Sequence, residues 1–329
     1  FYKKSALPLA DGGTVSKQEV VAWLEDCINN SGHALVSDQR NIWPYTNPYT
    51  AANYKYATDN KLVWEGDGCK ETIFALKFSN TGASGYYNRI VEYFGMRLSG
   101  ANNFPFIPQG YSNGQVNSKL WDDWTSDPDY AGDYRLRGSI CSEVEEIPKY
   151  AGDKSKEVEK CRYWAKKYLG VGAYEGNTLI LSFAYFYGGL NNRQYGLTSD
   201  LILIRMADVY LMHSELTETP TYMNKVRERA KLPPYGSYSL QALKKERRYE
   251  LCFEASRWND LRRWGDVQQI VTNQEGIPIT NRGVKGTYTF GKFNFMDRYN
   301  QTSGGFWKIP EAQVTLSEGV LEQNPGWET

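Results

Sequence analysis

Apolar side chains recur at three- and four-residue steps over residues 14–29, where Val20, Trp23, Leu24, Cys27 and Ile28 share one stripe. That spacing predicts an amphipathic helix. Thr14 or Ser16 can cap it, Glu19 lies three residues after Ser16 as in a capping box, and Asn30-Ser31-Gly32 stops it. Residues 42–59 are aromatic, carry Asn and Pro, and show no period, so they read as a long loop. Residues 71–79 alternate Ile73 and Ala75 against Phe74, Leu76 and Phe78, which fits a short strand or an extended core segment. Residues 80–115 are rich in Gly, Asn, Pro and Tyr and read as irregular surface backbone, where binding residues tend to sit. A short helix follows over 117–125, with Leu120, Trp121 and Trp124 on one side. Residues 149–167 carry charges of both signs and read as a solvated segment, and 177–187 as a strand.

The last third is more regular. Residues 201–216 read as a helix capped by Ser199 or Asp200, with Ile204, Ala207, Leu211 and Met212 inward. A second helix spans 221–230 on Met223, Val226 and Ala230, closed by Leu232-Pro233-Pro234. A third, long helix spans 240–264 and ends at Gly265. Helices joined by short turns suggest repeats of the tetratricopeptide type, degenerate because no self-similarity is visible.

Composition narrows the function. Over 329 residues, 38 basic side chains balance 38 acidic ones, which removes the electrostatic footprint of a nucleic-acid binder. No apolar run nears the roughly 18 residues of a membrane span. Ten Trp and 25 Tyr stand against 13 Phe. Aromatics with polar tips suit half-wet surfaces and ligand faces, though a Tyr-rich core would give the same count. The five cysteines form no C-x-x-C, so zinc-ribbon and thioredoxin readings fail. The first residue is Phe1, and no secretory signal pattern follows it.

Glu246, Glu250 and Glu254 are spaced as i, i+4, i+8, as carboxylates are in a di-metal bundle core. Such sites want Glu-x-x-His, and neither His33 nor His213 stands there. Arg247 and Arg257 lie three residues from Glu250 and Glu254, so an Arg–Glu network locking helices together is the better reading. Residues 110–114 (GYSNG) match the G-x-S-x-G nucleophile elbow, but Pro105 and Pro108 rule out the central strand that should precede it. Asp127, Asp129 and Gly132 match three positions of a calcium loop, while Ala131 and Gly138 occupy positions that need ligands. Calcium is therefore the one cofactor the pattern leaves open, and the expectation is otherwise of none. Asp122 and Asp123 between two Trp suggest a glycosidase, but neighbours on a helix diverge by about 100° and cannot flank one bond.

Several blocks, in order, resemble the SusD/RagB family of Bacteroidota outer-membrane, substrate-binding lipoproteins. Residues 133–140 (DYRLRGSI) are similar to its D-x-R-L-x-x-[ST]-I block, and 203–215 (LIRMADVYLMHSE) to its R-[LM]-A-[ED]-V-Y-L helix. Residues 224–233 (NKVRERAKLP) resemble N-x-V-R-x-R-A-G-L-P, with Lys231 in place of Gly. Residues 246–265 (ERRYELCFEASRWNDLRRWG) follow E-R-R-x-E-L-x-F-E-G-x-R-W-x-D-L-R-R-W-G, with Ala255 in place of Gly. Residues 307–310 and 323–327 (QNPGW) resemble the closing W-x-I-P and Q-N-P-G-[YW]. Weaker matches lie at 29–35 and 71–75.

The resemblance implies a mainly α fold: a tetratricopeptide-like helical scaffold, a large irregular loop-rich ligand-binding region and a few short strands. It implies one domain over 1–329, N-terminally incomplete, with a ligand-binding part at 80–195, the scaffold at 199–265 and an irregular segment at 266–329. The connection over 216–221 is shorter than the family's. The implied function is non-enzymatic: binding of a poly- or oligosaccharide at the cell surface and delivery to a SusC-like TonB-dependent transporter. The implied address is the outer membrane, through a lipid-bearing Cys absent from this sequence. A peptide-binding member of the family and a helical glycoside hydrolase are the alternatives. For the ligand face the aromatic candidates are Tyr86, Tyr87, Tyr111, Trp121 and Trp124, and the polar ones Asn102, Asn103, Asn113 and Asp123. Trp121 and Trp124, three apart, fit a buried stripe equally well. Glu246, Arg247, Glu250, Glu254 and Arg257 are assigned to the structural network.

Overall fold

The computed structural model describes residues 4–48, 54–79, 87–95, 110–147, 162–168, 172–175, 178–182, 198–281, 284–289 and 295–327. They fall into two compact units, Phe1–Arg257 with Ile279–Gly286 and Trp258–Pro278 with Thr287–Thr329. The fold is mainly helical, and among the described residues the strands pair two by two. No described helix is long and apolar enough to cross a membrane.

The first long helix runs Lys17–Asn30, preceded by a strand at Thr14–Ser16. Ser16 caps it: Glu19 N–H donates to Ser16 Oγ at 3.2 Å, and Ser16 N–H donates back to Glu19 Oε2 at 2.8 Å. It packs on the helix Met206–Thr217, which also receives Thr221–Arg229 and Leu240–Glu250. The last three share a core of Ala207, Leu211, Met223, Val226 and Leu243 with Leu251, and Lys17–Asn30 covers it with half-buried residues only. Those residues carry the period that made the helices legible.

Two helices are shorter than their pattern suggests. The stretch expected as helix from 201 is a strand at Leu201–Arg205, and the helix starts at Met206. The strand pairs antiparallel with Thr72–Leu76, placing Phe74 opposite Ile204 and Leu76 opposite Leu201. A five-residue apolar run carries no period of its own, so its partner across the sheet decides its state. The helix expected over 240–264 is broken: Leu240–Glu250 ends, Phe253 (φ 66°) and Ala255 (φ 62°) turn left-handed, and a new helix spans Arg257–Trp264.

Much of the described part of 42–59, expected as a loop, is core. Short 3₁₀ turns at Gln39–Ile42 and Pro44–Thr46 and a helix at Lys55–Asp59 bury Ile42, Trp43, Tyr45, Tyr54 and Ala57. The end of the segment expected as solvated is likewise interior: the strand Tyr163–Ala165 carries Trp164, and Lys166 and Lys167 are fully buried behind it. Lys166 Nζ finds the Glu146 carboxylate at 2.8 Å and lies 4.1 Å from the Tyr56 ring centroid. The strand expected within 177–187 is Thr178–Ser182, paired with Gly172–Glu175.

Candidate functional site

The paired strands Thr72–Leu76 and Leu201–Arg205 hold the two ends of the stretch 77–200 between them. A buried lattice of charge ties Asp133, Arg135 and Lys167 of that stretch to the helices. Glu246 and Glu250 lie on one face of Leu240–Glu250. Arg135, from the short helix Arg135–Ser139, donates to Glu246 Oε1 at 2.6 Å, to Glu250 Oε2 at 2.7 Å and to Asp133 Oδ2 at 2.8 Å. Arg205 donates to Glu71, Glu250 and Glu254, each at 2.6 Å. Arg229 joins Glu71 to Glu250 at 2.5 Å each, and Arg227 reaches Glu246 at 3.1 Å. Lys167 Nζ donates to Glu254 Oε1 at 2.5 Å.

Five cations (Arg135, Arg205, Arg227, Arg229, Lys167) thus face five carboxylates (Glu71, Asp133, Glu246, Glu250, Glu254), and the lattice is neutral. Burial by itself would raise the Glu250 pKa, but Arg229, Arg205, Arg135 and Lys167 hold it well below the usual carboxylate range. Glu254 reaches the lattice from the turn after the helix, not from the helix face the spacing implied. Arg247 binds Asp208 at 2.7 Å, and Arg257 is half-buried at the start of its helix. Each of the three spaced glutamates already has a cation, and among the described residues no cluster of His, Cys, Asp and Glu is placed to hold a metal. At the calcium-like stretch, Lys245 Nζ lies 2.8 Å from Asp127 and 3.8 Å from Asp129.

Several aromatic residues expected on the ligand face lie in the core. Trp124 is 1% exposed, stacks on Tyr249 with ring centroids 4.4 Å apart, and donates its indole N–H to Asp133 Oδ2 at 3.1 Å. Trp121 stacks on Tyr163 at 4.9 Å. The helix Ser118–Ser126 uses both as its inward stripe. Tyr87 is buried as well. Asp123 is held by Lys119 and Arg248 at 2.8 Å each; partial burial works against it, yet those two cations keep its pKa below normal. Trp121, Trp124 and Tyr87 are thus buried, while the Asp123 side chain stays partly exposed beside its two cations. Tyr86, Asn102 and Asn103 lie outside the described residues.

What remains is built around Tyr111 and Asn113, both exposed. Asn113 N–H donates to Tyr93 O at 2.8 Å and Ser112 N–H to Gly95 O at 3.0 Å, which lays this segment along the end of Ile90–Phe94. The approach requires glycine: a Cβ on Gly110 would lie 2.3 Å from Gly95 O. The result is an exposed aromatic cluster of Tyr93 (44%), Phe94 (44%) and Tyr111 (37%), with the Tyr93 and Tyr111 rings 6.4 Å apart. Tyr93 and Phe94 were not among the expected residues. Their signal was an aromatic pair directly before Gly95 in Gly- and Asn-rich sequence.

Ser112 has the left-handed backbone (φ 57°) of an elbow serine but is buried, and its Oγ accepts from Gln115 Nε2 at 2.8 Å and from Trp164 Nε1 at 3.5 Å. Two donors do not activate a nucleophile. His213 packs instead against Glu25, at 3.2 Å.

The model of the SusD family matches residues 70–327, and the chain belongs to that family. Solved structures agree in fold. A laminarin binding SusD-like protein matches with TM-score 0.60 and 22% identity, covering 94% of this chain and 59% of that one. Surface glycan-binding protein A from Bacteroides thetaiotaomicron, in complex with laminarihexaose, matches with TM-score 0.61 and 16% identity over 94% and 59%. NanU of B. fragilis matches with TM-score 0.54 and 20% identity over 95% and 58%. The chain therefore spans under three fifths of the length of these solved relatives. Among curated proteins none matches.

Proposed function

We propose that this protein binds a poly- or oligosaccharide at the cell surface, without cleaving it, and passes it to a TonB-dependent outer-membrane transporter. The observation that carries the binding step is the exposed Tyr93–Phe94–Tyr111 cluster beside Asn113. Large aromatic rings left in water gain when the apolar C–H face of a pyranose covers them, and an adjacent amide can satisfy ring hydroxyls. The names of the solved relatives, a laminarin binder and a laminarihexaose complex, support a glycan as the class of ligand. Surface exposure, a lipid anchor and the transporter partner are what membership of the family suggests for the whole protein.

Isothermal titration against a glycan panel including laminarihexaose tests the reading. Tyr111→Ala should weaken binding by ~1 kcal/mol, about fivefold, with the melting temperature unchanged. Binding of peptides but of no glycan, or a glycan affinity indifferent to Tyr111 and Tyr93, would overturn it. Delivery is tested by purification from native membranes: a TonB-dependent transporter should co-elute.

A further inference from the structure

The exposed aromatic cluster is not one surface. Tyr93 and Phe94 are adjacent in the helix Ile90–Phe94, so their side chains leave it about 100° apart. Tyr93 turns toward Tyr111, with ring centroids 6.4 Å apart and planes tilted by 46°. Phe94 turns toward Gly114 instead. A Cβ on Gly114 would lie 2.8 Å from Phe94 Cε1 and 3.0 Å from its Cδ1, so the ring fills the place that a side chain would take. Among the described residues the Phe94 ring pairs with no other ring.

The two directions lie along one backbone segment. Tyr111 stands at one end and Gly114 at the other, and between them Ser112 is buried and Asn113 exposed. A tyrosine can rest half-wet because its hydroxyl stays in water, and a phenylalanine has no such group. Phe94 is nevertheless 44% exposed, on a seat that only glycine provides. One pyranose lies flat on one plane and cannot cover rings that leave a helix about 100° apart, whereas two linked residues can.

We propose that the site takes a chain of at least two contiguous sugar residues, one at Tyr93–Tyr111 and the next on Phe94. The Asn113 carboxamide bonds to hydroxyls where the two join, and Gly114 is the positioning residue that seats Phe94. This rests on the glycan reading above and adds to it a minimum ligand length, set by a contact that a single sugar at Tyr93–Tyr111 does not reach.

The test is a length series, titrated into protein carrying ¹³C-labelled Phe and Tyr rings. The probes are mono-, di- and hexasaccharides of glucose, mannose and galactose, laminaribiose and laminarihexaose among them. The Phe94 signal is identified by its loss in Phe94→Leu or, should that variant not fold, by cross-relaxation with the Gly114 Hα protons. Phe94 should shift only with ligands of two residues or more, and saturably. Phe94→Ala should weaken hexasaccharide binding about fivefold in calorimetry. Gly114→Ala, whose Cβ displaces the ring, should do the same. A hexasaccharide that shifts Tyr111 but not Phe94, or a monosaccharide that shifts both on one saturation curve, would sink the second contact and leave the glycan reading standing. No shift from any glycan, with none bound in calorimetry, would sink both.

Discussion

Glu250 accepts from three guanidinium groups at once, those of Arg135, Arg205 and Arg229. Removing it leaves buried cations uncompensated, so Glu250→Ala should cost ~3–5 kcal/mol in urea unfolding, far above any surface pair. The pH dependence follows from its depressed pKa. A carboxyl that is more acidic folded than unfolded stabilises the protein fully above its unfolded value, 4.5, and loses that contribution as pH falls toward the folded value. Urea midpoints should therefore respond little to this group above pH 5 and decline below 4.5, with a weaker decline in a Glu250→Gln variant that folds. The type and spacing of these charges showed in the sequence that they belong to the framework. The direction of Trp124 did not show, because a Trp three residues from another fits a core stripe and an exposed face alike. Its stack on Tyr249 and bond to Asp133 decide the matter, and Trp124→Ala should cost ~3–5 kcal/mol in thermal or urea unfolding. The contrast with Tyr111→Ala separates framework from ligand face.

Two positions where the family pattern has Gly carry other residues here, Lys231 and Ala255, and both are left-handed, at φ 60° and 62°. Lys231 follows the helix Thr221–Arg229, and Ala255 sits in the turn between Leu240–Glu250 and Arg257–Trp264. The strain of a Cβ there, ~1–2 kcal/mol, exceeds the entropy a glycine loses on folding, ~0.5–1 kcal/mol. Lys231→Gly and Ala255→Gly should each stabilise the protein by ~0.5–1 kcal/mol, read as a rise in urea midpoint at constant slope. The same turn explains why one long helix was expected: Glu246, Glu250 and Glu254 keep an i, i+4, i+8 spacing that runs on into the break, and the left-handed backbone at Phe253 and Ala255 interrupts it. The strand Leu201–Arg205 escaped for the opposite reason. Its evidence is its partner Thr72–Leu76, more than a hundred residues away, and local spacing carries no trace of that pairing.

At the scale of the molecule, the exposed rings and the charge lattice belong to one compact unit, Phe1–Arg257 with Ile279–Gly286, and this couples binding to stability. A ligand that binds only the folded state stabilises it by about 2.7 kcal/mol at a hundred times its dissociation constant. A glycan found by calorimetry should accordingly raise the melting temperature of the wild type by a few degrees, in proportion to the logarithm of its concentration. Tyr111→Ala should need about fivefold more glycan for the same rise, because the substitution weakens binding without touching the core. Trp124→Ala should show a lower starting melting temperature and a rise like that of the wild type, since its ring is spent inside. The glycan recovered after prolonged incubation should be intact, with no new reducing ends. New reducing ends would make the protein an enzyme, and a melting temperature indifferent to every glycan that calorimetry detects would place binding outside the folded unit that carries Tyr93 and Tyr111.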